Sequence, residues 1–100
     1  MIVTVFRSRL RPEAIDEYTT WAGRMNALVK TMPGYLSHKV FTAEDGERVT
    51  IVEFESDAAQ QAWSLHAEHA KAKVKGRESF YAEYALQVCT VVRTTRFPTD

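Results

Sequence analysis

Three side chains that could do chemistry follow one another at three-residue intervals: Trp63, His66 and His69. Residues three apart share one helix face, and we expect Trp63 and His66 to face the interior. The tryptophan could stack on a flat ligand, or it could be an ordinary core residue. Imidazole changes charge near neutral pH, so His66 could transfer a proton. The alternative is a helix histidine bonded to a backbone carbonyl.

Polar groups that could orient a substrate follow a few residues later. Arg77, directly after Gly76, could stabilise an oxyanion or enolate, or it could form a surface ion pair. Tyr81 and Tyr84 carry hydroxyls that either contact a ligand or find a structural partner. The candidate site therefore has two predicted catalytic residues and three predicted substrate-binding residues. The predicted catalytic residues are His66 and Arg77. The predicted substrate-binding residues are Trp63, Tyr81 and Tyr84.

Metal chemistry and thiol chemistry are not expected. His66 and His69 offer two ligands, whereas zinc takes at least three from a protein. The single cysteine, Cys89, lies among valines in a predicted strand, where a free cysteine behaves as a small hydrophobe. We predict no catalytic role for it. One cysteine allows no intrachain disulfide, and this composition suits a reducing cytoplasm.

The elements that position these residues follow from hydrophobic periodicity. Alternation with period two predicts strands, and apolar residues three and four apart predict amphipathic helices. The predicted strands are 2–10, 35–42, 48–55 and 80–93, and the predicted helices are 14–32 and 57–75, the second with a break near Leu65. We expect Ser56 and Asp57 to cap this helix, with Gln60 completing a capping box, and Gly76 to end it. The order βαββαβ predicts an α+β, ferredoxin-like fold, with helices on one face of a four-stranded antiparallel sheet.

The 100 residues allow one domain, predicted over residues 1–97, with a tail at 98–100. Acidic and basic residues balance at 13 each, which gives no electrostatic reason for a nucleic-acid or membrane partner.

The last predicted strand is apolar on both faces, and a sheet of that kind is buried on both faces. We therefore expect a homodimer through the sheet face away from the helices.

Several of these segments resemble the antibiotic biosynthesis monooxygenase family. Pro33-Gly34-Tyr35 opens a strand as the family's Pro-Gly-aromatic does, and Glu53-Phe54-Glu55-Ser56 precedes a helix that bears Trp63. Residues 63–69, 76–78, 80–81 and 84 resemble one large subgroup. The resemblance implies a dimeric α+β barrel with a ligand pocket between the sheet and the helices of each subunit.

The resemblance also implies what the pocket would do. Family oxygenases oxidise aromatic phenols with molecular oxygen and need no flavin or metal, so we expect a cofactor-independent monooxygenase acting on a small aromatic or quinone-like molecule. The alternative is a non-catalytic dimeric domain that binds a small molecule or haem. Haem degradation is disfavoured, because Ser8 and Lys73 stand where the haem-degrading branch has asparagine and histidine.

Overall fold

Four strands and three α-helices build the chain in the computed structural model, which describes residues 1–98. They are β1 (Ile2–Leu10), α1 (Ile15–Val29), β2 (Tyr35–Thr42), β3 (Arg48–Phe54), α2 (Asp57–Leu65), α3 (Ala67–Lys75) and β4 (Tyr81–Thr90). The sheet has the order β2-β3-β1-β4, and all its neighbouring strands are antiparallel. This confirms the predicted ferredoxin-like α+β fold.

The pleat of the sheet assigns its residues to two faces. Residues paired in register share a face, so Thr4 and Phe6 point the same way as Val52 and Leu86. This is the face under the helices, where the buried side chains of Ile2, Val29, Phe54 and Trp63 form the core. Val3 and Val5 share the opposite face with Ile51 and Cys89.

The strand before the tail is shorter than predicted. A strand over 80–93 was expected, but β4 ends at Thr90, whose partner in β1 is Ile2. One more hydrogen bond joins the Val91 N–H to the Met1 carbonyl at 3.1 Å. At the other end Phe80 belongs to a π turn, Gly76–Phe80. Residues 99 and 100 of the predicted tail lie outside the described residues.

The helix predicted over 57–75 is two helices, as the expected break suggested. His66 has extended backbone (φ −58°, ψ 133°) and separates α2 from α3. Ser56 caps α2 as expected, since its Oγ accepts a hydrogen bond from the Ala59 N–H at 3.1 Å. The capping box was wrong: Gln60 lies one residue too late to reach back to the cap, and its side chain is buried.

Two glycines hold elements close together. Gly34, at φ +84°, would place a Cβ 2.5 Å from the Ala59 Cβ, so its loop and α2 can touch only if residue 34 has no side chain. Gly76 does not end its helix in a left-handed turn as expected, because it stays helical and leads into the π turn. Its role is close packing: a Cβ there would lie 2.6 Å from the Tyr81 ring.

The helix predicted over 14–32 runs only from Ile15 to Val29.

None of the helices within residues 1–98 combines the length and the apolar character needed to cross a bilayer.

Candidate functional site

A cavity of about 270 Å³ lies between the helices and the sheet. Its walls are mainly aromatic and aliphatic, with Trp21 from α1, Trp63 from α2 and Phe6 from β1 among them. Pockets that bind small molecules are typically apolar with a few placed polar groups. Here the titratable lining side chains other than tyrosines are His38, Arg48, His69 and Lys73.

The Trp63 and His69 rings stack in the wall. Their centroids are 4.2 Å apart and the planes differ by 12°, while the His69 Nδ1 lies 3.1 Å from the Trp63 carbonyl oxygen. A carbonyl only accepts, so Nδ1 carries a hydrogen and donates it. In the neutral ring Nε2 is then free to accept a proton.

The environment of His69 favours this neutral form. Burial lowers the pKa of His69 below its usual value, the hydrogen bond to the Trp63 carbonyl partly opposes that, and the nearby charges of Lys73 and His66 lower it further. A neutral imidazole with a fixed Nδ1–H is the form that can act as a general base. The arrangement can therefore remove a proton from a bound molecule.

Four aromatic rings gather at the other end of the cavity. Phe6 lies 5.4 Å from Tyr81 and 5.5 Å from Tyr84, and Tyr18 lies 5.8 Å from Tyr81 between ring centroids. Burial raises the pKa of Tyr81 well above its ordinary value, and the adjacent Tyr18 adds to this. Tyr81 stays a neutral phenol near neutral pH, so it can donate a hydrogen bond but cannot serve as a base.

Arg48 lies beside this aromatic end. Its guanidinium carbon is 5.2 Å from the centroid of the Tyr18 ring, a cation–π contact. Its Nε is buried and has no hydrogen-bond partner within residues 1–98.

Other polar side chains of the cavity already have partners. The Lys73 Nζ donates to the Ser64 carbonyl at 2.6 Å and lies 3.2 Å from the Ser64 Oγ. The His38 Nδ1 is 2.8 Å from the Tyr35 hydroxyl, and burial lowers the pKa of His38. Residues 1–98 contain no group of three or more His, Cys, Asp or Glu side chains placed to hold a metal ion.

The structure brings three of the five predicted site residues together. Trp63, Tyr81 and Tyr84 line the cavity, whereas His66 and Arg77 do not. His66 caps α3 through its Nδ1, which accepts from the Glu68 N–H at 3.2 Å. Arg77 is exposed in the π turn. The catalytic roles of His66 and Arg77 stay predictions. The thiol of Cys89 lies on the face of the sheet opposite the cavity.

Sequence reasoning missed His69 and Arg48 as cavity residues. The extended backbone at His66 shifts the helical phase, so Trp63 and His69 meet although one unbroken helix would have paired Trp63 with His66. Arg48 stands at the first position of β3, where a charged residue normally marks a solvated strand end. Its alternation with Thr50 and Val52 was the one signal that it points inward.

Comparison with known proteins agrees with this fold. The sequence pattern of the antibiotic biosynthesis monooxygenase family matches residues 1–75. The uncharacterised protein YqjZ of Bacillus subtilis (strain 168) is 34% identical over 93 residues, which cover 93% of this chain and 82% of that protein.

Solved structures share the fold at lower identity. Rv0793 from Mycobacterium tuberculosis has a TM-score of 0.83 at 17% identity, covering 95% of this chain and 98% of that one. SnoaB from Streptomyces nogalater, a cofactor-independent oxygenase, has a TM-score of 0.80 at 17% identity, covering 98% and 97%. With a family pattern that spans residues 1–75, the chain belongs to the antibiotic biosynthesis monooxygenase family.

Proposed function

We propose that the protein is a cofactor-independent monooxygenase that oxidises a small aromatic or quinone-forming molecule in the cavity between sheet and helices. The observation that carries the proposal is the paired geometry of Trp63 and His69, which joins a flat stacking surface to an imidazole whose Nε2 is free to accept a proton. Family membership and the fold shared with SnoaB support this reaction class.

The proposed chemistry uses the chain's own groups. His69 removes a proton from a ring hydroxyl or an acidic ring CH₂, and the substrate anion then reacts with molecular oxygen. A CH₂ becomes a carbonyl, and the second oxygen atom leaves as water with the two hydrogens of the substrate. Tyr81 donates a hydrogen bond to the oxygen on which charge develops, and the apolar walls exclude water from the anion.

Oxygen uptake tests this function. Purified protein mixed with a panel of dihydroxynaphthalenes and anthrones should consume oxygen in proportion to the quinone formed. We expect His69→Gln to lower the rate by about 10²-fold or more, because general-base catalysis contributes that much. His66→Gln is the matched variant, and it tests the catalytic role predicted for His66 from the sequence.

The outcomes separate the candidates. A large loss in His69→Gln with a small one in His66→Gln supports His69 as the base. The reverse result supports His66 as the base, and a rate equal to the parent's in both variants excludes both histidines as the base. If no member of the panel consumes oxygen above the protein-free rate, the non-catalytic alternative replaces the proposal. A haemin titration followed by absorbance then tests haem as its ligand.

The same proposal includes a homodimer through the open sheet face. Val3, Val5, Val49 and Ile51 lie on that face, and the half-exposed ring of Phe41 extends it. An exposed group of apolar side chains on a sheet face marks an interaction surface, and a second copy would cover it by twofold symmetry. Light scattering at micromolar concentration should give twice the mass of the chain.

A further inference from the structure

The guanidinium of Arg48 has an unusual electrostatic position. Its Nε is the one side-chain nitrogen or oxygen atom within residues 1–98 that is buried and has no hydrogen-bond partner. A buried donor on a charged group is unfavourable unless something pairs with it. The contact with the Tyr18 ring offers only the face of a neutral ring and satisfies no N–H donor.

Within residues 1–98, no acidic side chain lines the cavity to balance this charge. Lys73, whose side chain also lines the cavity, adds a second positive charge to the same space. The arginines at the open sheet face differ, because Arg7 binds Glu47 at 2.9 Å and Arg9 binds Asp45 at 2.7 Å. In the described part of the chain, Arg48 therefore lies in the cavity wall with no carboxylate beside it.

The neighbours of Arg48 suit an anionic oxygen attached to a flat ring. In the sheet Arg48 stands opposite Ser8, and Tyr84 stands on the other side of Ser8, so the three side chains share the helix-side face. The phenol rings of Tyr18 and Tyr81 complete this end. The rest of the lining is mainly apolar or aromatic and includes Trp63.

We propose that the cavity binds a planar aromatic molecule that carries an oxygen anion, a carboxylate or an ionised phenol, and that Arg48 supplies its counter-charge. This deepens the proposed function, because it concerns the same cavity and names the class of its ligand. Charge-assisted hydrogen bonds from arginine to such oxygens are among the stronger polar contacts in proteins. The anion would accept a hydrogen bond from the Arg48 Nε–H, which has no partner within residues 1–98.

Binding of a charged and a neutral ring of the same shape tests this inference. The probes are 2-naphthoate and 2-naphthamide, compared by isothermal titration calorimetry near neutral pH, where the first is ionised. We expect the parent protein to bind the naphthoate at least about tenfold more tightly, a difference of about 1.4 kcal/mol. Arg48→Gln should abolish this preference and leave the affinity for the amide within about twofold.

Arg24→Gln is the matched control, because it removes the same charge from an exposed position on α1. It should keep the parent's preference. If Arg48→Gln binds neither probe, Arg48→Lys decides: a retained preference for the naphthoate supports the assignment, and equal binding of the two probes overturns it.

Two further results would overturn the inference. One is a parent protein without preference for the anion, including one that binds neither probe. The other is an Arg48→Gln variant that keeps the preference. Neither probe is oxidised by oxygen under these conditions, so the measurement is independent of turnover. A protein that consumes no oxygen but still prefers the anion would contradict the proposed oxygenase function and leave the proposed anion site supported.

Discussion

At the scale of single residues, one hydrogen bond decides which nitrogen of His69 can act. The Trp63 carbonyl takes the Nδ1–H and leaves Nε2 available. The sequence predicted that an aromatic residue and a histidine lie together in a pocket wall, and Trp63 does line the cavity. It could not identify His69 as the partner, because the phase of the helix depends on the backbone of His66.

Trp63→Ala should both weaken binding and destabilise the fold. The ring is 8% exposed and belongs to the core, but it also borders the cavity. Removing it extends a space that is already open, so we expect a loss near the lower end of the roughly 3–5 kcal/mol usual for such changes. Phe54→Ala is the comparison: this side chain also borders the cavity but is only 1% exposed, so its removal should cost more. Urea unfolding measures both, and an equal or larger loss for Trp63→Ala would assign Trp63 to the core alone.

The lowered pKa of His69 predicts a pH dependence of stability. In the unfolded chain the ring titrates near 6.5, whereas burial holds the folded pKa below that value. The unfolded state therefore binds the proton first, and stability is lost as pH falls from about 6.5 toward the folded pKa. His69→Gln should flatten this decline in thermal melting temperature, and His38→Gln should do so for the same reason. An unchanged decline in both variants contradicts the prediction.

At the scale of elements, periodicity and turn residues predicted each strand and helix to within a few positions. β2 has the predicted limits, and the Ser56 cap starts α2 where expected. The sequence could not predict how β4 ends, because that depends on how far β1 extends beside it. Nor could it predict why residue 76 is glycine, because the cause is the Tyr81 ring lying against it.

Three glycine-to-alanine variants separate backbone strain from close packing. Gly23→Ala, in the middle of α1 with nothing near the new Cβ, should stabilise the protein by about 0.5–1 kcal/mol. Gly46→Ala has free space but φ +90°, and should cost about 1–2 kcal/mol. Gly34→Ala adds the contact with Ala59 to the same strain, and should cost about 3 kcal/mol.

Denaturant unfolding of the three variants gives the order. If Gly34→Ala were no worse than Gly46→Ala, the close contact between the Pro33-Gly34-Tyr35 loop and α2 would have no energetic weight.

At the scale of the whole molecule, the sheet has one face under the helices and one face left open. The alternation in β1 and β4 predicted both faces from the sequence, because register assigns each residue to a side. The cavity could not be predicted in this way. Its shape depends on how far α1, α2 and the π turn stand from the sheet, which no local pattern encodes.

Val91→Lys should split or aggregate the proposed dimer. Val91 continues the row of Ala85 and Cys89 on the open face, so a lysine there would bury an unpaired charge between subunits. Val92→Lys is the control, because Val92 is 88% exposed. Size-exclusion chromatography with light scattering distinguishes the two. A parent protein of monomeric mass, or a Val91→Lys variant of dimeric mass, would rule out this interface.

The stack of Trp63 on His69 also gives the chain its own optical signal. Trp63 is one of two tryptophans, and its indole lies 4.2 Å from an imidazole across the junction of α2 and α3. A protonated imidazole accepts an electron from an excited indole and quenches its emission, whereas a neutral one does so weakly. The brightness of Trp63 therefore follows the charge of His69 and the overlap of the two rings. The fluorescence of Trp63 would therefore change on proton uptake, on ligand entry and on any change in the angle between the two helices. No added dye would be needed.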